Sequence, residues 1–199
     1  SHVTDNGGSS DNILLVNLTF EQLNANTAAV LTHGTDGSLH IYRCRIAQSG
    51  VSPTQGPAIL HSQGNLRLDE SQVTHTTSGN ATRYALRVDG SSATITEINR
   101  SVLSGPSVCL LNPGFYTDCV VSILDTQMDS THASGKGIIS DASSLTIAYS
   151  SLSTASGDAI LIHPGAAVFN TNVEVYLRWS FIEGDVSYDI SGITGNTVL

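Results

Sequence analysis

The chain has 199 residues, 8 Lys and Arg against 17 Asp and Glu, a formal net charge of −9 and only 13% charged residues. That length suffices for one domain with a real core. The missing basic stripe argues against nucleic acid, and no apolar run approaches the ~20 residues of a membrane span, so neither nucleic acid nor membrane insertion is expected.

Residues 1–12 read as an N-terminal tail or cloning remnant, and 13–199 as one repeat domain. The missing initiator Met and the abrupt "GITGNTVL" suggest a piece of a longer protein. "NILLVNLTF" (12–20) is the first apolar segment, followed by six units, each with two short segments in which β-branched residues alternate with polar ones. In chain order the first segments are "AAVLTH", "PAILHS", "YALRVD", "SVCLLN", "KGIISD" and "DAILIH". The second segments are "LHIYRCRI", "LRLDESQV", "TEINRSVL", "VSILDTQM", "LTIAYSSL" and "VYLRWSFI". "VSYDISG" starts a further unit. Glycines 50, 79, 105, 135, 157 and 184, five of them in Ser-Gly pairs, punctuate the units at intervals of 22 to 30 residues. Each pair is expected to be a hinge where Gly supplies unusual backbone angles and Ser bonds its own turn.

The second segments align in columns. Leu39, Leu66, Thr96, Val121, Leu145 and Val175 form one apolar column. Ile41, Leu68, Ile98, Ile123, Ile147 and Leu177 form the next, and Ile46, Val73, Leu103, Met128, Leu152 and Ile182 the third. Between the last two runs a small-residue column, Cys44, Ser71, Ser101, Thr126, Ser150 and Ser180. At a corner these side chains would point inward and satisfy one another up the stack. A solenoid places like residues over like in this way. The pattern resembles a right-handed parallel β-helix of the pectin-lyase-like kind, as in viral and phage spikes and bacterial surface proteins. That resemblance implies an all-β solenoid of about seven coils; a β-sandwich is the alternative, since its strands also come at regular spacing.

Two outward columns carry chemistry. Arg43, Glu70, Arg100 and Asp125 alternate in charge, a pattern suited to a ladder of ion pairs, and Tyr149 and Trp179 continue it as a candidate sugar-stacking or partner-binding strip. At the end of the first segments lie His33, Ser62, Asp89, Asn112, Asp141 and His163. Asp89 and Asp141 would stand two coils apart, about 9.6 Å at twice the strand spacing, near the loose range for inverting glycosidases. They are the catalytic candidates, with His163 or Arg87 assisting, although turn chemistry alone also favours Asp and Asn there. Asn112, and Phe115 and Tyr116 on the "NPGFYTDC" loop, are candidate ligand contacts beside Tyr149 and Trp179.

Cys44, Cys109 and Cys119 show no CxxC pattern and read as buried thiols, with a Cys109–Cys119 bridge as the other option. The seven histidines lack HxH or HxxxH spacing, and GxSxG, GxGxxG and P-loop patterns are missing, so no metal or cofactor is expected. The expected function is a non-enzymatic structural or adhesion module of a virus, phage or bacterial surface spike or fibre. Such a module would work outside the cell or on a virion, bind a host glycan, a surface receptor or a neighbouring structural protein, and could assemble as a homotrimer. The alternative is a polysaccharide-degrading hydrolase or lyase built on the carboxylate pair.

Overall fold

A computed structural model describes residues 3–5, 12–23, 28–33, 37–49, 56–62, 64–76, 81–89, 94–111, 119–162 and 174–188. Every strand pairing in it is parallel. β1 (Val3–Asp5), within the expected tail, pairs with β4. The first turn is β2 (Asn12–Val16), β3 (Thr19–Leu23) and β4 (Val30–His33). The second is β5 (Ser38–Tyr42), β6 (Arg45–Ser49) and β7 (Ile59–Ser62). The third is β8 (Asn65–Asp69), β9 (Gln72–Thr76) and β10 (Tyr84–Asp89). The fourth is β11 (Ile95–Asn99), β12 (Val102–Gly105) and β13 (Ser107–Leu111). The fifth is β14 (Val120–Leu124), β15 (Gln127–Ser130) and β16 (Ile138–Ser140). Two further layers follow, β17 (Ser144–Ala148) with β18 (Ser151–Ile162), and β19 (Glu174–Arg178) with β20 (Phe181–Tyr188).

The chain is thus an all-β parallel solenoid of about five turns, not the about seven that the repeat count suggests. The count fails because a turn needs three separate strands. In the last two layers the second corner is lost, and β18 and β20 run on through glycine bends at Gly157 (φ 102°) and Gly184 (φ 124°). The register between these two strands shifts at Ser153–Asp158 and Asp158–Ile160, where the extra residues are absorbed. A β-sandwich is excluded, because its strands would pair antiparallel.

Seven strands form the smaller sheet, in the order β19-β17-β14-β11-β8-β5-β2, and the others form a thirteen-stranded sheet. The register carries each predicted column straight up the stack: Leu39 pairs with Leu66, Leu66 with Thr96, Val121 with Leu145 and Leu145 with Val175. These side chains point into a continuous core. The three apolar columns are buried except at their last members, Leu177 at 43% exposure and Ile182, which is partly buried. Leucine, isoleucine and valine dominate because each strand presents alternate residues to the interior, where β-branched side chains pack well. The three thiols are buried and unbridged, and burial pushes the Cys109 thiol up.

The corner after the smaller sheet is where sequence and structure meet most closely. Asn17, Arg43, Glu70, Arg100, Asp125, Tyr149 and Trp179 all have left-handed backbone, φ between 46° and 53°. At this corner non-glycine residues carry the bend; among the punctuating glycines, Gly157 and Gly184 have the unusual angles expected of them, whereas Gly105 and Gly135 do not. Gly105 and Gly135 serve closeness instead. A Cβ on Gly135 would lie 1.8 Å from the Pro106 carbonyl oxygen, and one on Gly105 would lie 2.7 Å from that of Ser107. Ser78-Gly79 and Gly50 lie outside the described residues.

Candidate functional site

The left-handed corner reverses the direction of backbone hydrogen bonding. Before it, each corner N–H donates to the next layer, as Arg43 does to the Asp69 carbonyl (3.1 Å) and Tyr149 to that of Arg178 (3.0 Å). Two residues later the donation runs backward, as from Gln72 to the Cys44 carbonyl (2.9 Å) and from Phe181 to that of Ser150 (2.9 Å). The residue between has an N–H with no carbonyl in reach, and a buried donor must find a partner.

The small-residue column supplies it. Cys44 N–H donates to Ser71 Oγ (3.0 Å), Ser71 to Ser101 Oγ (3.1 Å), Ser101 to Thr126 Oγ1 (3.4 Å), Thr126 to Ser150 Oγ (3.1 Å) and Ser150 to Ser180 Oγ (3.2 Å). Each hydroxyl donates in turn to the carbonyl two residues earlier, as Ser71 does to Asp69 (2.8 Å) and Ser150 to Ala148 (2.8 Å). The expectation that hydroxyls satisfy one another is corrected. They satisfy the backbone on both sides, and so the column tolerates no apolar member where a preceding N–H depends on it.

The same bend makes a concave strip. One wall is the left-handed column itself. The other is the first outward position of the next strands: Thr19, Arg45, Gln72, Val102, Gln127, Ser151 and Phe181. The hydroxyl column is the floor. Two open cavities of ≈ 530 Å³ and ≈ 510 Å³ follow this strip and share Arg100 and Val102, so together they form one groove parallel to the solenoid axis. Asn17 and Arg43 stand at one end and Trp179 and Phe181 at the other.

Tyr149 and Trp179, expected as binding residues, both line the groove and lie one layer apart. They are exposed at 66% and 84%, and Phe181 on the facing wall is exposed at 66%. Phe181 was not anticipated, although its place two residues after the left-handed column marks it once the register is known. The ion-pair ladder holds over three layers. Arg43 Nε lies 2.7 Å from Glu70 Oε2, and Arg100 Nη2 lies 3.4 Å from Glu70 Oε1. These hydrogen bonds hold the Glu70 carboxyl below its usual range, that from Arg43 foremost. Asp125 is exposed and makes no ion pair among the described residues.

Behind the corner ridge lies a cluster that column reading of the core missed. Asp69 sits on the outer face of the smaller sheet with its side chain only 3% exposed. Its carboxylate accepts from Arg67 Nε (2.6 Å) and Asn99 Nδ2 (3.0 Å) and lies 2.8 Å from His40 Nε2. Arg100 Nη2 approaches to 3.8 Å. Burial pushes the Asp69 carboxyl up, but the bonds from Asn99, Arg67 and His40 outweigh it and hold it below the usual carboxylate range. The signal was present in "LRLD": Arg67 and Asp69 are two apart on one strand and so share a face, with His40 one layer before and Asn99 one layer after. The cluster braces the ridge, because Arg100 touches both Asp69 and Glu70.

The catalytic candidates are placed less tellingly. Ser62 pairs with His33 on one side and Asp89 on the other, as the column expects. Asp89 Oδ1 accepts from Arg87 Nε (2.7 Å), and Asp141, 7% exposed, follows β16 with its N–H on the Leu111 carbonyl (3.1 Å). Asn112, Phe115, Tyr116 and His163 lie outside the described residues. Among the described residues no three His, Cys, Asp or Glu side chains converge as metal ligands. No protein family, no curated protein and no solved structure matches the chain.

Proposed function

We propose that the chain is a non-enzymatic binding module of a surface spike, fibre or adhesin of a virus, phage or bacterium, built on a right-handed β-helix of the pectin-lyase-like kind. On this reading its corner groove holds a host glycan lengthwise along the axis. The observation that carries it is the exposure of Tyr149, Trp179 and Phe181 around a polar floor. Aromatic rings of this size are ordinarily covered, and three of them beside one groove suit the apolar faces of sugar rings. Backbone donors and hydroxyls in the floor are already spent on one another, so the floor itself needs no ordering on binding. The layered architecture supports an elongated ligand, since equivalent positions recur at about 4.8 Å along the axis.

A binding role is favoured over catalysis by the acids in the groove. Glu70 is committed to Arg43 and Arg100, which leaves Asp125 alone, whereas glycoside hydrolysis ordinarily uses two carboxyl groups. The test is a glycan array probed with the intact chain and with Trp179→Ala and Tyr149→Ala. Retention of glycans by the parent chain and loss in both variants is the expected result. Absence of any retained glycan, or equal retention by all three proteins, would refute the reading. Shortening of a retained glycan, abolished in Asp89→Asn/Asp141→Asn, would instead establish the polysaccharide-degrading alternative.

A further inference from the structure

The groove is not uniform along its length, and its asymmetry indicates a ligand chemistry. Only 8 Lys and Arg side chains occur in a chain of net charge −9, yet three of them, Arg43, Arg45 and Arg100, line the half of the groove away from Trp179. Arg43 and Arg100 share the carboxylate of Glu70, and Arg100 Nη2 also lies 3.8 Å from Asp69 Oδ1, so both guanidinium groups have a carboxylate partner. Arg45 is exposed and makes no ion pair among the described residues. Its neighbours in register are the uncharged Thr19 and Gln72. This stretch of the groove wall therefore carries one positive charge, that of Arg45, with no ion pair among the described residues, on a protein of net charge −9. The opposite half offers Tyr149, Trp179 and Phe181 with Asp125, and shares Arg100 with the first half.

We infer that the ligand of this groove is a linear acidic polysaccharide, carboxylated or sulfated. Its anionic groups sit against Arg43, Arg45 and Arg100 while uncharged ring faces stack on Trp179 and Tyr149. The inference rests on the glycan-binding reading above and adds ligand charge and direction to it. Guanidinium groups suit this task because their planar donor forks match carboxylate and sulfate oxygens. Arg43 and Arg100 are pre-positioned by Glu70, and Arg100 also by the Asp69 cluster, so less side-chain freedom is left to lose on binding. Arg45 stands on the facing wall, so an anionic group in the groove can be reached from both sides.

Trp179 is the chain's one tryptophan, and its fluorescence therefore reports on the groove directly. The intact chain would be titrated with hyaluronan, a carboxylated probe, with chondroitin sulfate, a sulfated one, and with cello-oligosaccharide as a neutral probe. We expect at least one acidic probe to quench Trp179 at lower concentration than the neutral probe, and to lose that advantage as salt screens exposed charges. Arg45→Ala should weaken the acidic probe about fivefold, the upper reach of one exposed ion pair, and leave the neutral one unchanged. Equal binding of neutral and acidic probes, or an Arg45→Ala variant that binds the acidic probe as the parent does, would overturn the inference while leaving the glycan groove intact. Binding of none of the probes would overturn the inference, and the glycan array above would then decide the glycan-binding reading on its own.

Discussion

The backbone N–H of Ser71 donates to Ser101 Oγ, thirty residues ahead, across 3.1 Å. Both groups are buried, and the N–H has no carbonyl to replace the hydroxyl because the left-handed corner turns it out of the sheet ladder. Ser101→Ala should thus cost about 1–3 kcal/mol, the range for leaving a buried donor unsatisfied. Ser101→Thr keeps the oxygen, as Thr126 does one layer on, and should cost less than half as much. Urea unfolding of the two variants measures the difference. Equal stability would show that the column fills space and does not satisfy the corner.

A second consequence concerns the residues that bend. Among the described residues seven non-glycine residues adopt φ near 50°, and none of them is β-branched. Left-handed backbone is costly for residues with a crowded Cβ and readily adopted by Gly. Asp125 is the cleanest test, being exposed and outside any described ion pair. Asp125→Val should destabilise by about 1–3 kcal/mol, the range for a strained backbone position, and Asp125→Gly by no more than a few tenths. A valine variant as stable as the parent would mean that the corner relaxes at no cost.

Both features were legible as columns before their cause was. The small-residue column is visible because its chemistry repeats in every unit, and register alone places it. The left-handed column is less visible, since Arg, Glu, Asp, Tyr and Trp share no property except unbranched Cβ atoms. The punctuating glycines divide in two: Gly157 and Gly184 bend with positive φ, whereas Gly105 and Gly135 mark close backbone approach. The turn count was overestimated because the second segment recurs even where β18 and β20 run through a corner without stopping. The Asp69 cluster escaped for another reason: its members lie on three strands about 30 residues apart in sequence, and only the register reveals that Arg67, Asp69, His40 and Asn99 share one patch. Tyr149 and Trp179 share one outward column, which the aligned repeats of the sequence place, while the groove they line depends on the bend beneath them.

Thr96 sits in the column of Leu39, Leu66, Val121 and Leu145, fully buried, and its Oγ1 makes no hydrogen bond among the described residues. A hydroxyl in an apolar column costs what burial of an unsatisfied polar group costs. Valine has nearly the same shape and no oxygen, and Val121 already occupies the next layer. Thr96→Val should therefore raise stability by about 1–2 kcal/mol. Thermal and urea unfolding would both register it, and a loss of stability would reveal an unseen partner for the hydroxyl.

The interior also holds two histidines, His61 on β7 and His75 on β9, at 3% and 1% exposure. Desolvation pushes both imidazoles below the usual histidine range, partly offset by hydrogen bonds, such as that of His75 Nε2 with the Gly56 carbonyl at 3.0 Å. A group whose folded pKa is depressed binds more protons unfolded than folded, so stability must fall as pH drops below about 6.5, where the unfolded imidazole titrates. The loss continues until the folded imidazoles themselves protonate, with a limiting slope of about 2.7 kcal/mol per pH unit for the pair. Asp69 acts in a lower window. Its depressed pKa contributes stability above about pH 4 that disappears as pH falls through its folded value. The two windows can be separated by comparing the parent chain with His61→Gln/His75→Gln in urea at pH 7.5, 6.5 and 5.5. The parent should weaken across that series and the double variant should stay level, because glutamine can donate to a carbonyl without titrating. A parent chain equally stable at all three pH values would show that both imidazoles accept protons without opening the core.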